Sequence, residues 1–287
     1  MMMDSLRATL LITCPDQKGL VAAIAGFLAQ HDANIVDFRE HVSPDAQGFF
    51  ARVVFDLSGL AIARDEVGPA FAPLARRFDM QWALYFSDQP KRMALLVSKY
   101  EHCLYDLLIR HKGGELPVTI PAIISNHPDM QPVAEFFKIP YFHVPSAPGG
   151  KAAQEAEILR LLAEVQVDFV VMARYMQILS AEFLGHYPHR VINIHHSFLP
   201  AFIGGKPYHQ AYERGVKLIG ATAHYATEEL DEGPIIEQNV VRVTHAETVD
   251  DLIRMGRDIE RIVLARAVHL HADNRILVSG RRTVTFS

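Results

Sequence analysis

Cysteine is almost missing from this chain. Only Cys14 and Cys103 occur in 287 residues, far apart and in no CxxC pattern, which argues against a disulfide framework and fits reduced thiols in a cytoplasmic protein. Runs of basic residues are missing too. With 28 Lys and Arg against 33 Asp and Glu, a net charge of −5 and a pI near 6.3, nothing offers an electrostatic footprint for nucleic acid or an anionic membrane. No apolar run approaches the ~20 residues of a membrane span, and the start MMMDSLRATLLITCPD lacks the basic region and long apolar stretch of a signal peptide. There are no low-complexity segments and no internal repeats. What remains is a globular chain, 49% hydrophobic and 21% charged, long enough for about two domains, whose partners are expected to be small molecules.

The hydrophobic pattern changes part-way along. Residues 1–86 read as βαββαβ. LRATLLITC is a strand, and Asp16 is placed to cap a helix whose Leu20, Val21, Ile24, Phe27 and Leu28 share one face. ANIVDFREHV and GFFARVVFDL follow as strands around the turn-rich SPDAQ, and Arg64–Arg77 and MQWALYF supply a second helix and a closing strand. This is the ferredoxin-like split βαβ order. SDQPK (87–91) reads as a linker. From 92 to 287, the apolar runs RMALLVS, TIPAIIS, DFVVMA and VINIHH alternate with helical candidates at 103–110, 131–137, 151–166 and 180–186. That alternation predicts an α/β domain with a mainly parallel sheet. LIGATAHY and PIIEQNVVRV then read as successive strands around the loop EELDEG, and 248–270 as one long amphipathic helix.

Chemistry concentrates at VINIHHSFLP (191–200) and EELDEGP (228–234). On a strand, Asn193 and His195 share a face while Ile192 and Ile194 point into an apolar layer. In open α/β sheets ligands collect at strand carboxyl ends, where this pair stands. With Asp231 as a carboxylate nearby, the trio has the parts for attack on a carbonyl carbon: an amide donor for an oxyanion, a proton carrier, and a group to orient it. Each residue alone reads more readily as structural, since Asn and His finish strands and an Asp before Glu-Gly-Pro makes a turn. Ser197 lacks a G-x-S-x-G elbow, so a covalent acyl-enzyme has little support. No metal is expected: His186-x-x-His189 and His195-His196 lack HExxH spacing, and Pro188 interrupts the first. GGK (149–151) is no P-loop, having Pro145 and Ala152 at positions that need Gly and Ser/Thr. His224, on a candidate strand beside Tyr225, could brush the site, though it reads first as a packed, hydrogen-bonded histidine, and His196, adjacent to His195 on a strand, is expected to face away from it.

MARYMQILS (172–180), NIHHSFLPAFIGGKPYHQAYERG (193–215) and GATAHYATEELDEGPIIEQ (220–238) together resemble the folate-dependent formyltransferase fold, and within it the formyltetrahydrofolate deformylases. DQKGLVAAIAGFLAQHDANI (16–35) resembles an ACT domain, a small amino-acid-binding regulatory module. The resemblance implies a Rossmann-like catalytic domain over 92–287 in which Asn193, His195 and Asp231 are catalytic. It implies a folate pocket formed by Met176, Gln177, Ile178 and Leu179 and by Thr227, Glu228, Glu229 and Leu230. The activity implied is hydrolysis of 10-formyltetrahydrofolate to tetrahydrofolate and formate, supplying formate for purine synthesis and balancing folate pools. The folate is then the substrate, with no separate cofactor. An effector such as glycine or methionine would bind the ACT domain around Asp16, Lys18, Gly19, Leu20 and Asn34, and paired ACT sheets would make a homo-oligomer. The alternative is transfer of the formyl group to an amine acceptor. Against it, SKYEHCLYD after the first strand of the second domain has no glycine for the phosphate-holding loop of glycinamide ribonucleotide formyltransferases. IHHSFLP also carries histidine where those transferases commonly have proline, as deformylases do.

Overall fold

The computed structural model describes residues 6–43, 48–146, 149–201 and 207–286, and these fall into two compact units. In the first, β1 (Arg7–Pro15), α1 (Leu20–Gln30), β2 (Ile35–Ser43), β3 (Gly48–Asp56), α2 (Val67–Arg77) and β4 (Gln81–Phe86) follow the expected βαββαβ order. The four strands form an antiparallel sheet in the order β2-β3-β1-β4. Alternation along β1 turns Ala8, Leu10, Ile12 and Cys14 into a core shared with Leu20, Ile24 and Leu28 of α1 and Phe71 and Ala75 of α2. Phe71 binds this core edge-on, its ring centroid 5.2 Å from both Phe27 and Trp82. Gly19, at φ 91°, precedes α1 with no side-chain cap, so Asp16 does not have the capping role expected of it. Of SPDAQ only Ser43 lies within the described residues, paired across the sheet with Gly48.

The second unit is built on a seven-stranded sheet. β5 (Lys91–Val97), α3 (His102–Lys112), β6 (Val118–Ser125), α4 (Gln131–Phe137), β7 (Tyr141–His143), α5 (Lys151–Glu164), β8 (Phe169–Ala173), α6 (Ala181–His186), β9 (Val191–His195), α7 (Pro207–Arg214), β10 (Leu218–Tyr225), β11 (Ile235–Arg242) and α8 (Val249–Ala272) follow in order. The strand order is β11-β10-β9-β8-β5-β6-β7. From β9 to β7 neighbours run parallel, while β10 and β11 add an antiparallel edge. β5 and β8 are buried nearly throughout, as strands covered on both faces must be. Because β6 lies on one side of β5 and β8 on the other, a crevice opens at the carboxyl ends of β5 and β8. α8 starts with a reciprocal Thr248–Asp251 capping box and buries Leu252, Ile259, Val263 and Leu264 on one face.

Two boundaries differ from the sequence expectation. Lys91, assigned to the linker, opens β5, and its ammonium donates to the His271 carbonyl at 2.7 Å. The chain end, assigned wholly to the second domain, is divided: Asn274–Ser279 and residues 283–286 cluster with the first unit. Buried Arg52 of β3 explains part of this, donating to the Asn274 carbonyl at 3.0 Å while pairing with Asp37 at 3.2 Å. The final strands, β12 (Ile276–Ser279) and β13 (Arg282–Thr285), form a two-stranded sheet that no sequence pattern announced.

Candidate active site

β9 ends on Asn193 and His195, and antiparallel pairing with β10 sets Asn193 opposite His224 and His195 opposite Thr222. The loop after β10 then turns back. Asp231 takes a left-handed backbone, φ 59°, at a cost of about 1 kcal/mol. Gly233 is packed so closely that a Cβ there would lie 1.7 Å from the Tyr225 carbonyl oxygen. Only glycine lets the loop close onto the strand end.

This geometry brings the expected trio together. His195 Nδ1 lies 3.0 Å from Asp231 Oδ2, with both side chains almost fully buried. The pair leaves His195 Nε2 as a buried ring nitrogen with no hydrogen-bond partner among the described residues. Burial alone would raise the Asp231 carboxyl, but hydrogen bonds from His195 and His224 outweigh it and hold the group far below the usual carboxylate range. His224 belongs to the site, correcting its reading as a merely packed residue. Its Nε2 is 3.6 Å from Asp231 Oδ1 and 3.2 Å from Asn193 Nδ2, and its Nδ1 is 3.0 Å from the Tyr225 carbonyl. A carbonyl only accepts, so Nδ1 donates to it, and Nε2 faces both the Asn193 amide and the Asp231 carboxylate.

His196 also departs from expectation. β9 stops at His195, strand alternation lapses there, and the two rings come within 5.1 Å, lining one cavity. Burial above all, with the positive charge of Arg174, pushes the His196 imidazole down to about 4, so it is neutral at pH 7.

The cavity has a volume of about 600 Å³. Met176, Gln177, Ile178, Leu179, Thr227 and Leu230 line it as expected, whereas Glu228 and Glu229 are exposed and do not. Arg174 and Met176, both at positive φ, make the tight turn that presents the 176–179 segment. The hydroxyl of buried Ser98, just after β5, donates to the Tyr175 carbonyl and holds that turn at the sheet end. Met176, Ile178 and Leu230 are about half exposed, giving apolar walls suited to a flat ring system.

A second polar group in the same cavity was not anticipated. Glu260 of α8, 1% exposed, accepts from Tyr208 Oη at 2.7 Å and lies 2.8 Å from His102 Nε2 and 3.5 Å from Arg174 Nε. Gly256, one turn earlier, makes room, because a Cβ there would meet Tyr208 Oη at 2.0 Å. The available signal was a glutamate on the apolar face of an amphipathic helix, eight residues after Leu252. Among the described residues His102, Cys103 and Glu260 have metal-ligand reach. The Arg174 guanidinium beside Glu260 and a Cys103 thiol pushed well up by burial oppose a cation there.

In the first unit a cavity of about 470 Å³ is lined by Asp16, Gly19 and Leu20 with Glu40 and Phe49. Of the expected effector residues, Lys18 and Asn34 do not line it.

Comparison with known proteins agrees with this architecture. The family model described as formyl transferase matches residues 91–268, and that for the ACT domain matches 8–68. A formyltetrahydrofolate deformylase from Synechocystis is 53% identical over 285 residues, covering 99% of this chain and 100% of the relative. The chain belongs to the formyltetrahydrofolate deformylase family. The crystal structure of a deformylase of that family from Pseudomonas syringae pv. tomato superposes with a TM-score of 0.98 at 47% identity, covering 100% of this chain and 96% of that one. By contrast, glycinamide ribonucleotide transformylase 1 from Symbiobacterium toebii, at 32% identity and a TM-score of 0.66, covers 71% of this chain and 98% of its own. The deformylase family therefore accounts for both units, and the transformylase likeness for less of the chain.

Proposed function

We propose that this chain hydrolyses 10-formyltetrahydrofolate to tetrahydrofolate and formate. The observation that carries the reading is the buried His195–Asp231 pair, with its unpartnered Nε2, in an apolar-walled cavity of folate-compatible size. The pterin lies against the 176–179 segment and the loop holding Thr227 and Leu230, presenting the formyl carbon to Asn193 and His195. Water gives up a proton to the His195–Asp231 pair as its oxygen bonds to the formyl carbon, and Asn193 donates to the formyl oxygen. The carbon–N10 bond then breaks, N10 takes a proton, and formate leaves as an anion, so that one proton is released overall. His195 and Asp231 titrate as a coupled pair, and the acid and base roles belong to the pair. The folate is the substrate and no separate cofactor enters these steps.

The wider setting follows the same reading. The formate supplies purine synthesis in the cytoplasm, and the ACT unit binds an amino-acid effector in the cavity beside Asp16, Gly19 and Leu20 and mediates homo-oligomer formation. The test is stoichiometric. Purified protein incubated with 10-formyltetrahydrofolate and no acceptor is expected to release formate and tetrahydrofolate in equal amounts. Tetrahydrofolate appearing only with an amine acceptor, without formate, would make the chain a transferase.

A further inference from the structure

We infer that Arg174 forms a subsite for a small carboxylate, the formate released by the reaction, inside the catalytic cavity. The inference rests on the proposed hydrolysis and deepens it. The Arg174 side chain is 9% exposed, yet among the described residues neither Nε nor Nη1 has a hydrogen-bond partner. Burying charged donors without acceptors is unfavourable, so such an arrangement points to a bound acceptor. Glu260 does not meet that need. Its Oε1 is taken by Tyr208 at 2.7 Å and its Oε2 by His102 at 2.8 Å, and Arg174 Nε comes only within 3.5 Å of Oε2 without hydrogen-bond alignment. The glutamate balances the charge and leaves Nε and Nη1 without an aligned acceptor among the described residues. Tyr100 holds the guanidinium from one side, ring centroid to Cζ 5.0 Å.

The position suits the chemistry. Arg174, His196 and His195 line one cavity, with the His195 and His196 rings 5.1 Å apart. Hydrolysis turns a neutral formamide into an anion in this space, and a vacant guanidinium donor offers a carboxylate a charge-assisted hydrogen bond. A folate substrate brings a second source of carboxylate, its glutamate tail. The deep burial of Arg174, against the half-exposed Met176, Ile178 and Leu230, favours the smaller ion, because a long tail must run out to solvent.

The test is a titration of the full chain with ¹³C-formate followed by NMR, with tetrahydrofolate present, in wild type, Arg174→Gln and Arg174→Lys. Loss of one charge-assisted contact is expected to weaken formate binding about tenfold or more in Arg174→Gln and less in Arg174→Lys. The ratio of kcat/KM between 10-formyltetrahydrofolate and its glutamate-free pteroate analogue is expected to stay at the wild-type value. Unchanged formate affinity in an Arg174→Gln protein that still binds tetrahydrofolate would overturn the inference, as would a wild type that binds no formate. A collapsed substrate ratio with unchanged formate affinity would reassign Arg174 to the glutamate tail. Should Arg174→Gln not fold, unchanged affinity in Arg174→Lys would be equally decisive. Formate binding needs no turnover, so a wild type that binds formate through Arg174 but releases none from 10-formyltetrahydrofolate would sink the hydrolase reading alone.

Discussion

Asn193 and His224 face each other across β9 and β10, with Asn193 Nδ2 3.2 Å from His224 Nε2. The contact fixes the rotation of the Asn193 side chain at the end of β9. His224 thus positions Asn193 and adds a second contact to Asp231.

His224→Phe is expected to lower kcat about tenfold or more with a much smaller change in KM, because the lost contacts orient transition-state groups rather than bind the pterin. Steady-state kinetics with 10-formyltetrahydrofolate separates the two. A rise in KM at constant kcat would place His224 in substrate binding instead.

His195→Ala and Asp231→Asn should each reduce kcat by ~100-fold or more, and the double variant by little beyond the worse single one, since the two act as a unit. Near-wild-type turnover in either single variant would contradict the mechanism.

Gly256→Ala places a Cβ 2.0 Å from Tyr208 Oη. The ring has to leave, and the buried Glu260 loses its 2.7 Å donor. Destabilisation of about 1–3 kcal/mol is expected, to be measured by urea unfolding. Tyr208→Phe removes the same hydrogen bond without the clash, so it should cost less. Equal stability of Gly256→Ala and wild type would show that the helix shifts freely.

Acid stability tests His196. Its imidazole is held at about 4 in the fold, against about 6.5 in an unfolded chain. Between those values the unfolded state binds a proton that the folded state does not. Stability therefore falls as pH drops from ~6.5 towards 4, by up to about 3 kcal/mol for the whole shift. Partly buried His271, also held well below its ordinary value by desolvation, acts in the same sense. Asp231 is a depressed carboxyl, so its contribution stays intact above about pH 3.9 and is lost only below. Unfolding free energies at pH 7 and pH 5 should differ less in His196→Asn than in wild type, and an identical difference would remove His196 from the account.

The order of elements was largely legible because period-2 and period-3.6 patterns survive in short windows, as in LRATLLITC and 248–270. β7, α7, β12 and β13 were not, being short and with little periodicity to read. Asn193, His195 and Asp231 were found because two share a strand face and the third lies in a Gly/Pro-bounded loop. Glu228 and Glu229 were over-read, since proximity in sequence to Asp231 does not turn a side chain into the cavity. His196 was under-read, because the end of β9 cancels alternation one residue earlier than the pattern VINIHH suggests.

The sequence by itself determined the two-unit organisation, the Asn193–His195 pairing on one strand and the cavity-lining segment at 176–179, all of which depend on residues close together along the chain. Only the tertiary structure decided that His224 joins Asp231 and that Glu260 gathers His102, Arg174 and Tyr208. Those contacts join residues 7 to 158 positions apart. Strand pairing and helix packing bring them into reach, and no local pattern records which distant partner a buried charge will find.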